Sequence, residues 1–277
     1  MRYKKEKMLK RNSELVVSKN REISTRLLIA CPLTGLVRAE WMMGRYSQAI
    51  PCNWSQVELV SWLDTYSPMG FQVADARNVA THKFIEGGFE WLFFIDHDVV
   101  MPPNTFSAWN QRMHSMKDPV WGGLYFTKSV PSEPLVYREL GHSYYAGWKL
   151  GDEVRVRALG NGCTVYHRSV MKEAWDIAEE YKVGDSKVRM VWQTPTKQEY
   201  DAETETWLTT GGTEDIHFQN YLITKGLLKK AGWPRHQKMK YPYLVDTKVF
   251  CRHIDNNGVQ YPSMGEEQEF IREVKKK

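Results

Sequence analysis

The run Glu90-Trp-Leu-Phe-Phe-Ile-Asp-His-Asp-Val-Val-Met-Pro-Pro103 constrains this chain more than any other stretch. Five apolar residues, Trp91 to Ile95, stop abruptly at Asp96-His97-Asp98. An apolar run of that length bounded by turn residues reads as a buried strand. In an open α/β sheet, ligands bind at the carboxyl ends of such strands. Two carboxylates placed there repel each other unless a cation lies between them. Oxygen ligands in a small open site suit magnesium or manganese, with substrate phosphate completing the shell.

The flanking segments place that strand in a sheet. Thr25 to Cys31 reads as a first buried strand, stopped by Pro32-Leu-Thr-Gly35, and Val37 to Tyr46 as a helix. Val57 to Leu63 is a second strand candidate, closed by Asp64. Val73, Ala76, Val79, Ala80 and Phe84 have helical spacing, and Gly87-Gly88 follows where a C-terminal cap glycine belongs. Strand, helix, strand, helix, strand predicts a mostly parallel sheet with crossover helices. A helix is expected after Pro102-Pro103, then a strand at Val120 to Tyr125 whose glycines permit close backbone approach. Short strands over 134–166, with alternating Val154, Val156 and Ala158, predict a small antiparallel sheet of their own. Ser169 to Glu180 reads as helix, 181–212 as largely irregular, and Thr213 as the N-cap of a helix that opens with Glu214 and Asp215. Tyr241 to Phe250 is extended. The fold class is therefore α/β: a mixed, mostly parallel sheet flanked by helices, with a small antiparallel sheet.

One domain over 24–260 accounts for this pattern, with a basic arm at 1–23, a lid loop at 194–212 and a charged tail at 261–277. The net charge of +5 is concentrated in residues 1–22, which hold eight basic residues against three acids. The remaining 30 basic and 30 acidic residues balance, so no basic groove for a nucleic-acid duplex is indicated. The arm has the charge for weak contact with an anionic membrane surface and otherwise reads as a solvated arm. Four scattered cysteines (Cys31, Cys52, Cys163, Cys251) form no metal or disulfide pattern, and a cytoplasmic setting is expected. Eleven Trp and 14 Tyr suit either sugar and base stacking or an aromatic core.

Three further features have chemistry. Arg77, in Asp75-Ala-Arg-Asn78 at a helix start, suits a phosphate or a base edge. Asp215 or Glu214, after Gly211-Gly-Thr213, suits a general base. His253, at the end of the last strand, suits a metal ligand.

Together, Ala76-Arg77-Asn78, Phe93-Phe-Ile-Asp-His-Asp-Val99, Gly122-Gly-Leu-Tyr125, Gly160 to Arg168, Glu214-Asp215 and His253 resemble, in order and approximate spacing, the GT-A glycosyltransferases, most closely the family-2-like group. The resemblance covers roughly residues 25–255. It implies a UDP- or GDP-sugar donor held by Mn2+ or Mg2+, and an acceptor hydroxyl on a glycan, lipid or protein. It implies Asp98 as direct metal ligand, Asp96 on the ribose or the metal shell, and His253 as a further ligand. Pro32, Thr34 and Asp64 would flank the base, Arg77, His97, Gly122 and Gly123 would line the donor site, and Asp215 beside Glu214 would deprotonate the acceptor in an inverting displacement. A sugar nucleotidyltransferase is the nearest rival, but it calls for a glycine-rich basic loop after the first strand, and Cys31 to Arg38 is glycine-poor with one Arg. A non-catalytic nucleotide-sugar or partner-binding protein on the same scaffold is the other.

Overall fold

Strand β2, Trp91–Ile95, is buried along its whole length and divides two packed layers. A computed structural model describes residues 27–33, 35–51, 70–139, 144–201, 203 and 206–266. Leu92 and Phe94 point into one layer, against Ala80 and Phe84 of helix α2 (Val73–Glu86), and Trp91, Phe93 and Ile95 point into the other. Period-two alternation in a strand buried on both faces explains why the run is continuously apolar.

The first layer also receives α4 (Arg168–Ile177) through Val170, Met171 and Ala174, and α5 (Glu214–Thr224) through Phe218 and Leu222. The second receives α1 (Ala39–Tyr46) through Trp41 and α3 (Thr105–Ser115) through Phe106, Trp109 and Met113. Trp91 packs edge-on against Trp121 at 4.9 Å, and Trp109 against Phe93 at 5.3 Å. Much of the tryptophan content therefore fills the core.

Six strands form the central sheet. Beside β2 run β1 (Leu27–Ala30) on one side and β8 (Cys163–His167) on the other, followed by β4 (Val120–Leu124), β13 (Tyr243–Phe250) and β6 (Glu153–Val156). β1 and β2 are parallel, as are β4 and β13. β8 is antiparallel to both its neighbours and β6 is antiparallel to β13. Four of the six strands thus run one way. The fold is a Rossmann-like mixed α/β arrangement with helices on both faces.

Three expectations change. Cys163 to Tyr166 and Val154 to Val156 belong to the central sheet, not to a separate one. β8 is buried on both faces, and its two buried hydroxyls are satisfied: Thr164 donates to the Gly160 carbonyl at 2.7 Å and Tyr166 to the Asn161 side-chain oxygen at 2.6 Å. A strand with no unpaired polar group is free to sit between β2 and β4. The helix expected to reach Glu180 ends at Ile177, and β9 (Glu180–Val183) turns through Gly184, at φ +56°, into β10 (Ser186–Arg189). The expected irregular stretch 194–212 contains an antiparallel hairpin, β11 (Thr196–Asp201) with β12 (Thr206–Gly211). Its Thr, Tyr and Trp content favours strand. Small antiparallel sheets are present as expected: β5 (Val136–Tyr137) pairs β7 (Ala158–Leu159). β14 (Arg252–Ile254) pairs both β15 (Gln260–Tyr261) and β3 (Val99–Val100). The strand candidate at 57–63 lies outside the described residues. Gly88, at φ +66°, ends α2 in the left-handed conformation expected there. Short helices α6 (Leu227–Lys230) and α7 (Pro234–Lys238) complete the first layer. Among the described residues no helix is long and apolar enough to cross a membrane.

Candidate functional site

At the carboxyl end of β2 the chain makes a tight turn, with the Val99 N–H donating to the Asp96 carbonyl at 3.1 Å. Asp96 is pinned further. Its N–H donates to the Gly162 carbonyl at 3.0 Å, and the Trp41 indole donates to its carbonyl at 2.8 Å. The turn presents Asp96, His97 and Asp98 to a cleft of about 190 Å3, completed by Pro32, Leu33, Phe71 and Val73. One wall is apolar, with Phe71 and Val73 partly open to solvent, and the other has the acids. The His97 ring nitrogen lies 3.3 Å from the Pro32 carbonyl, which ties the turn to the loop after β1.

Asp98 and His253 are brought together by the small sheet. His253 pairs with Val99, and the Ile254 N–H donates to the Asp98 carbonyl at 2.7 Å. The His253 Nε2 then lies 3.4 Å from the Asp98 Oδ2, while its Nδ1 lies 2.8 Å from the Phe126 carbonyl. A carbonyl only accepts, so Nδ1 has the hydrogen. The contact between Nε2 and the carboxylate oxygen then needs a positive charge, supplied by a proton on Nε2 or by a cation that takes both atoms as ligands. The same Asp98 oxygen is in ion-pair contact with the Lys128 ammonium. Burial works against the Asp98 charge, but His253 and Lys128 outweigh it and hold the carboxyl well below the usual carboxylate range.

Arg77 is buried, contrary to the donor-binding role expected of it. Its Nε donates to Glu214 at 2.8 Å and its Nη2 to Asp96 at 2.9 Å, and its guanidinium lies over the Phe94 ring at 4.8 Å. Burial disfavours the Arg77 charge, and the flanking Asp96 and Glu214 more than offset it, so its pKa is raised. Its Nη1 finds no hydrogen-bond partner among the described residues, but the side chain is closed off from solvent and does not line the cleft, so Arg77 is placed to hold the two carboxylates rather than a ligand there. Glu214 is corrected with it: buried and tied to Arg77, it is not placed as a base. Asp96 keeps its place on the cleft but is paired to the buried Arg77, whereas the ion-pair partner of Asp98, Lys128, is partly exposed, which leaves Asp98 as the better candidate metal ligand of the two.

Asp215 differs from Glu214. It is half-buried in the first turn of α5, with Oδ2 accepting from the Asn161 N–H at 3.0 Å and Oδ1 from the Ile216 N–H at 2.7 Å. Burial first, and the neighbouring Glu214 second, push its pKa up. Thr213 precedes it with an extended backbone, although its side chain accepts no capping hydrogen bond.

Gly122 and Gly123 do not line the cleft. A Cβ on Gly122 would lie 2.4 Å from the Leu159 side chain, and one on Gly123 would lie 2.9 Å from the Val249 carbonyl. Both are glycines because β4 packs tightly between β8 and β13. Thr34 and Asp64 lie outside the described residues. Of the expected residues the cleft therefore gathers Pro32, Asp96, His97 and Asp98, with His253 at its edge.

The sequence reading missed Tyr125 as a connector. Its ring packs edge-on against His253 at 5.6 Å, and its hydroxyl accepts from the Gly162 N–H at 2.9 Å. A Cβ on Gly160 would lie 2.0 Å from that hydroxyl and 3.5 Å from the Asp215 Oδ2. Tyr125 thus spans the interval between the Asp98–His253 pair and Asp215. Lys128, Phe71 and Trp41 were missed as well. Only the glycine pair Gly160 and Gly162 hinted at an aromatic pressed against that loop.

Among the described residues no three His, Cys, Asp or Glu side chains converge as a metal site. The fit rests on the pair. Neighbouring ligand atoms on a divalent cation lie about 3 Å apart, close to the 3.4 Å between Nε2 and Oδ2. Magnesium keeps most of its shell for water and substrate phosphate and is held by only one or two protein carboxylates, which the cleft offers in Asp98 and Asp96.

No family model matches this chain. No curated protein matches it either. Among solved structures it is similar to one titled "Crystal Structure of A197 from STIV", with a TM-score of 0.49 and 17% identity over 85% of this chain and 90% of that one.

Proposed function

We propose that the protein is a divalent-metal-dependent glycosyltransferase. It moves a sugar from a UDP- or GDP-linked donor to an acceptor hydroxyl on a glycan, lipid or protein. The observation that carries this reading is the Asp98–His253 pair, held at 3.4 Å beside a half-apolar cleft at the carboxyl end of β2. The GT-A resemblance set out above supports it.

In this reading Asp98 and His253 hold Mn2+ or Mg2+. When bound, the cation stabilises the negative charge that develops on the diphosphate leaving group. The wall formed by Pro32, Leu33, Phe71 and Val73 suits the flat face of a base, and Asp96 lies beside it for a ribose hydroxyl. Arg77 positions rather than binds: it fixes Asp96 and Glu214 at once, and so aligns the end of β2 with the start of α5. Asp215 takes the acceptor proton. Its raised pKa makes it a better base than an exposed carboxylate, and it acts from outside the metal pair, as an inverting displacement requires. The β11–β12 hairpin springs from Pro195, whose carbonyl accepts from the Gly212 N–H at 3.0 Å just before α5, and we assign it to covering the donor and excluding water.

A panel of UDP- and GDP-sugars, with manganese or with EDTA, read by release of the nucleoside diphosphate, tests the assignment. Manganese-dependent release from one donor is expected. Release that persists undiminished in EDTA would remove the metal from the account.

A further inference from the structure

We infer that Lys128 is a built-in counter-cation for the Asp98 site: it occupies the carboxylate oxygen that a divalent cation takes, and is displaced onto the donor diphosphate when metal and nucleotide bind. This rests on the metal reading above and adds a residue and a coupling to it.

Three observations carry it. The Lys128 ammonium contacts Asp98 at Oδ2, the same oxygen that faces the His253 Nε2 at 3.4 Å. The lysine therefore lies where a cation shared by Asp98 and His253 would bind through that oxygen. Its loop is also knitted in place. The Thr127 N–H donates to the Glu133 carbonyl at 2.8 Å, and the Thr127 hydroxyl lies 2.6 Å from that of Ser129. The Ser132 hydroxyl lies within hydrogen-bonding distance of both the Ser129 carbonyl, at 2.9 Å, and a Glu266 carboxylate oxygen, at 3.0 Å. A lysine at an ordered loop tip is aimed at its carboxylate rather than wandering. Third, about a third of the Lys128 side chain is exposed, so the ammonium has room to leave Asp98 without unpacking the core.

The chemistry follows from charge. A divalent cation and an ammonium on one carboxylate oxygen repel each other, so metal alone must first displace the lysine. A diphosphate offers that ammonium a new partner with more negative charge than Asp98 had. Metal and nucleotide should therefore bind with positive coupling, and Lys128 should reach the leaving group only when both are present.

The test uses the full chain and reads free Mn2+ by electron paramagnetic resonance, without turnover. Lys128→Met should bind Mn2+ alone roughly tenfold tighter than the wild type. In saturating Mn2+ it should bind UDP or GDP roughly tenfold more weakly. Lys128→Arg, which keeps the charge, should stay near wild type in the first measurement. Thermal melting of each variant checks that it is folded. Equal or weaker Mn2+ binding by Lys128→Met, beside clear binding by the wild type, would overturn the inference and leave the metal site standing. Undiminished UDP and GDP affinity would overturn the displacement onto diphosphate. If neither protein binds Mn2+, the metal reading itself fails and this inference goes with it.

Discussion

The Nε of Arg77 donates to a Glu214 carboxylate oxygen at 2.8 Å, joining two residues 137 positions apart in the chain. With its second bond to Asp96, Arg77 ties the end of β2 to the start of α5, the two elements that supply the proposed metal-side and base-side carboxylates. Removing one member of a buried ion pair leaves an uncompensated charge, which costs about 3–5 kcal/mol. Arg77→Met should therefore lower unfolding stability by that order in urea titrations. Arg77→Met combined with Glu214→Gln should recover part of the loss. Equal losses for the single and double variants would show that the pair is not the coupling element.

Asp215→Asn should fold normally and lose transfer activity by about 10²–10⁴, the usual contribution of a general base. Because burial and Glu214 raise the Asp215 pKa, the acidic limb of kcat/KM should fall above the ordinary aspartate value of about 3.9. A limb at or below that value, or activity within a few-fold of wild type, would take the base role away from Asp215.

Acid should unfold the protein through two buried groups with distinct pH windows. Burial lowers the His167 pKa from 6.5 to about 4, and the ring lies edge-on to Trp91 at 4.6 Å with Nδ1 accepting from the Ser169 N–H at 3.2 Å. The unfolded chain takes up this proton first, so stability falls as pH drops from 6.5 towards 4, by up to roughly 3 kcal/mol. His167→Gln should flatten the stability profile over that interval. Asp118 is held below its ordinary value: burial opposes its charge, but His236, Arg155 and Arg112 outweigh it. Its stabilisation is full above about pH 5 and is lost progressively as the pH falls below that. Asp118→Asn should therefore destabilise at neutral pH, by an amount that shrinks as the pH falls through the acid range. Urea midpoints measured from pH 2 to 8 separate the two groups.

Gly122→Ala should destabilise by about 1–3 kcal/mol, the cost of overpacking a filled core, because the new Cβ meets the Leu159 side chain at 2.4 Å and the Cys163 carbonyl at 2.8 Å. Nucleotide binding by the folded fraction should be unchanged. Lost binding without lost stability would return Gly122 to the donor site.

Local signals proved legible in the sequence, and long-range ones did not. The apolar run ending in two acids located β2 and its turn, and the spacing from Val73 to Phe84 located α2 to its last residue. The insertion of β8 between β2 and β4 was invisible, because pairing partners 42 to 76 residues apart leave no local mark. Arg77 and Glu214 were singled out as chemical residues, yet their roles turned on burial. A charged side chain at a helix start looks the same in sequence whether it faces solvent or the core. Tyr125 and Lys128 read as the end of a strand and a loop lysine. Only the fold shows that the ring of one meets His253 and the ammonium of the other meets Asp98.

In the proposed site Asp98 and His253 hold a divalent cation. Anomalous diffraction from crystals soaked with manganese and UDP tests it most directly. The account predicts one strong peak bonded to the Asp98 carboxylate and the His253 Nε2, with diphosphate oxygens completing its shell. A manganese peak elsewhere, or diphosphate density away from the Asp96–Asp98 cleft, would contradict it.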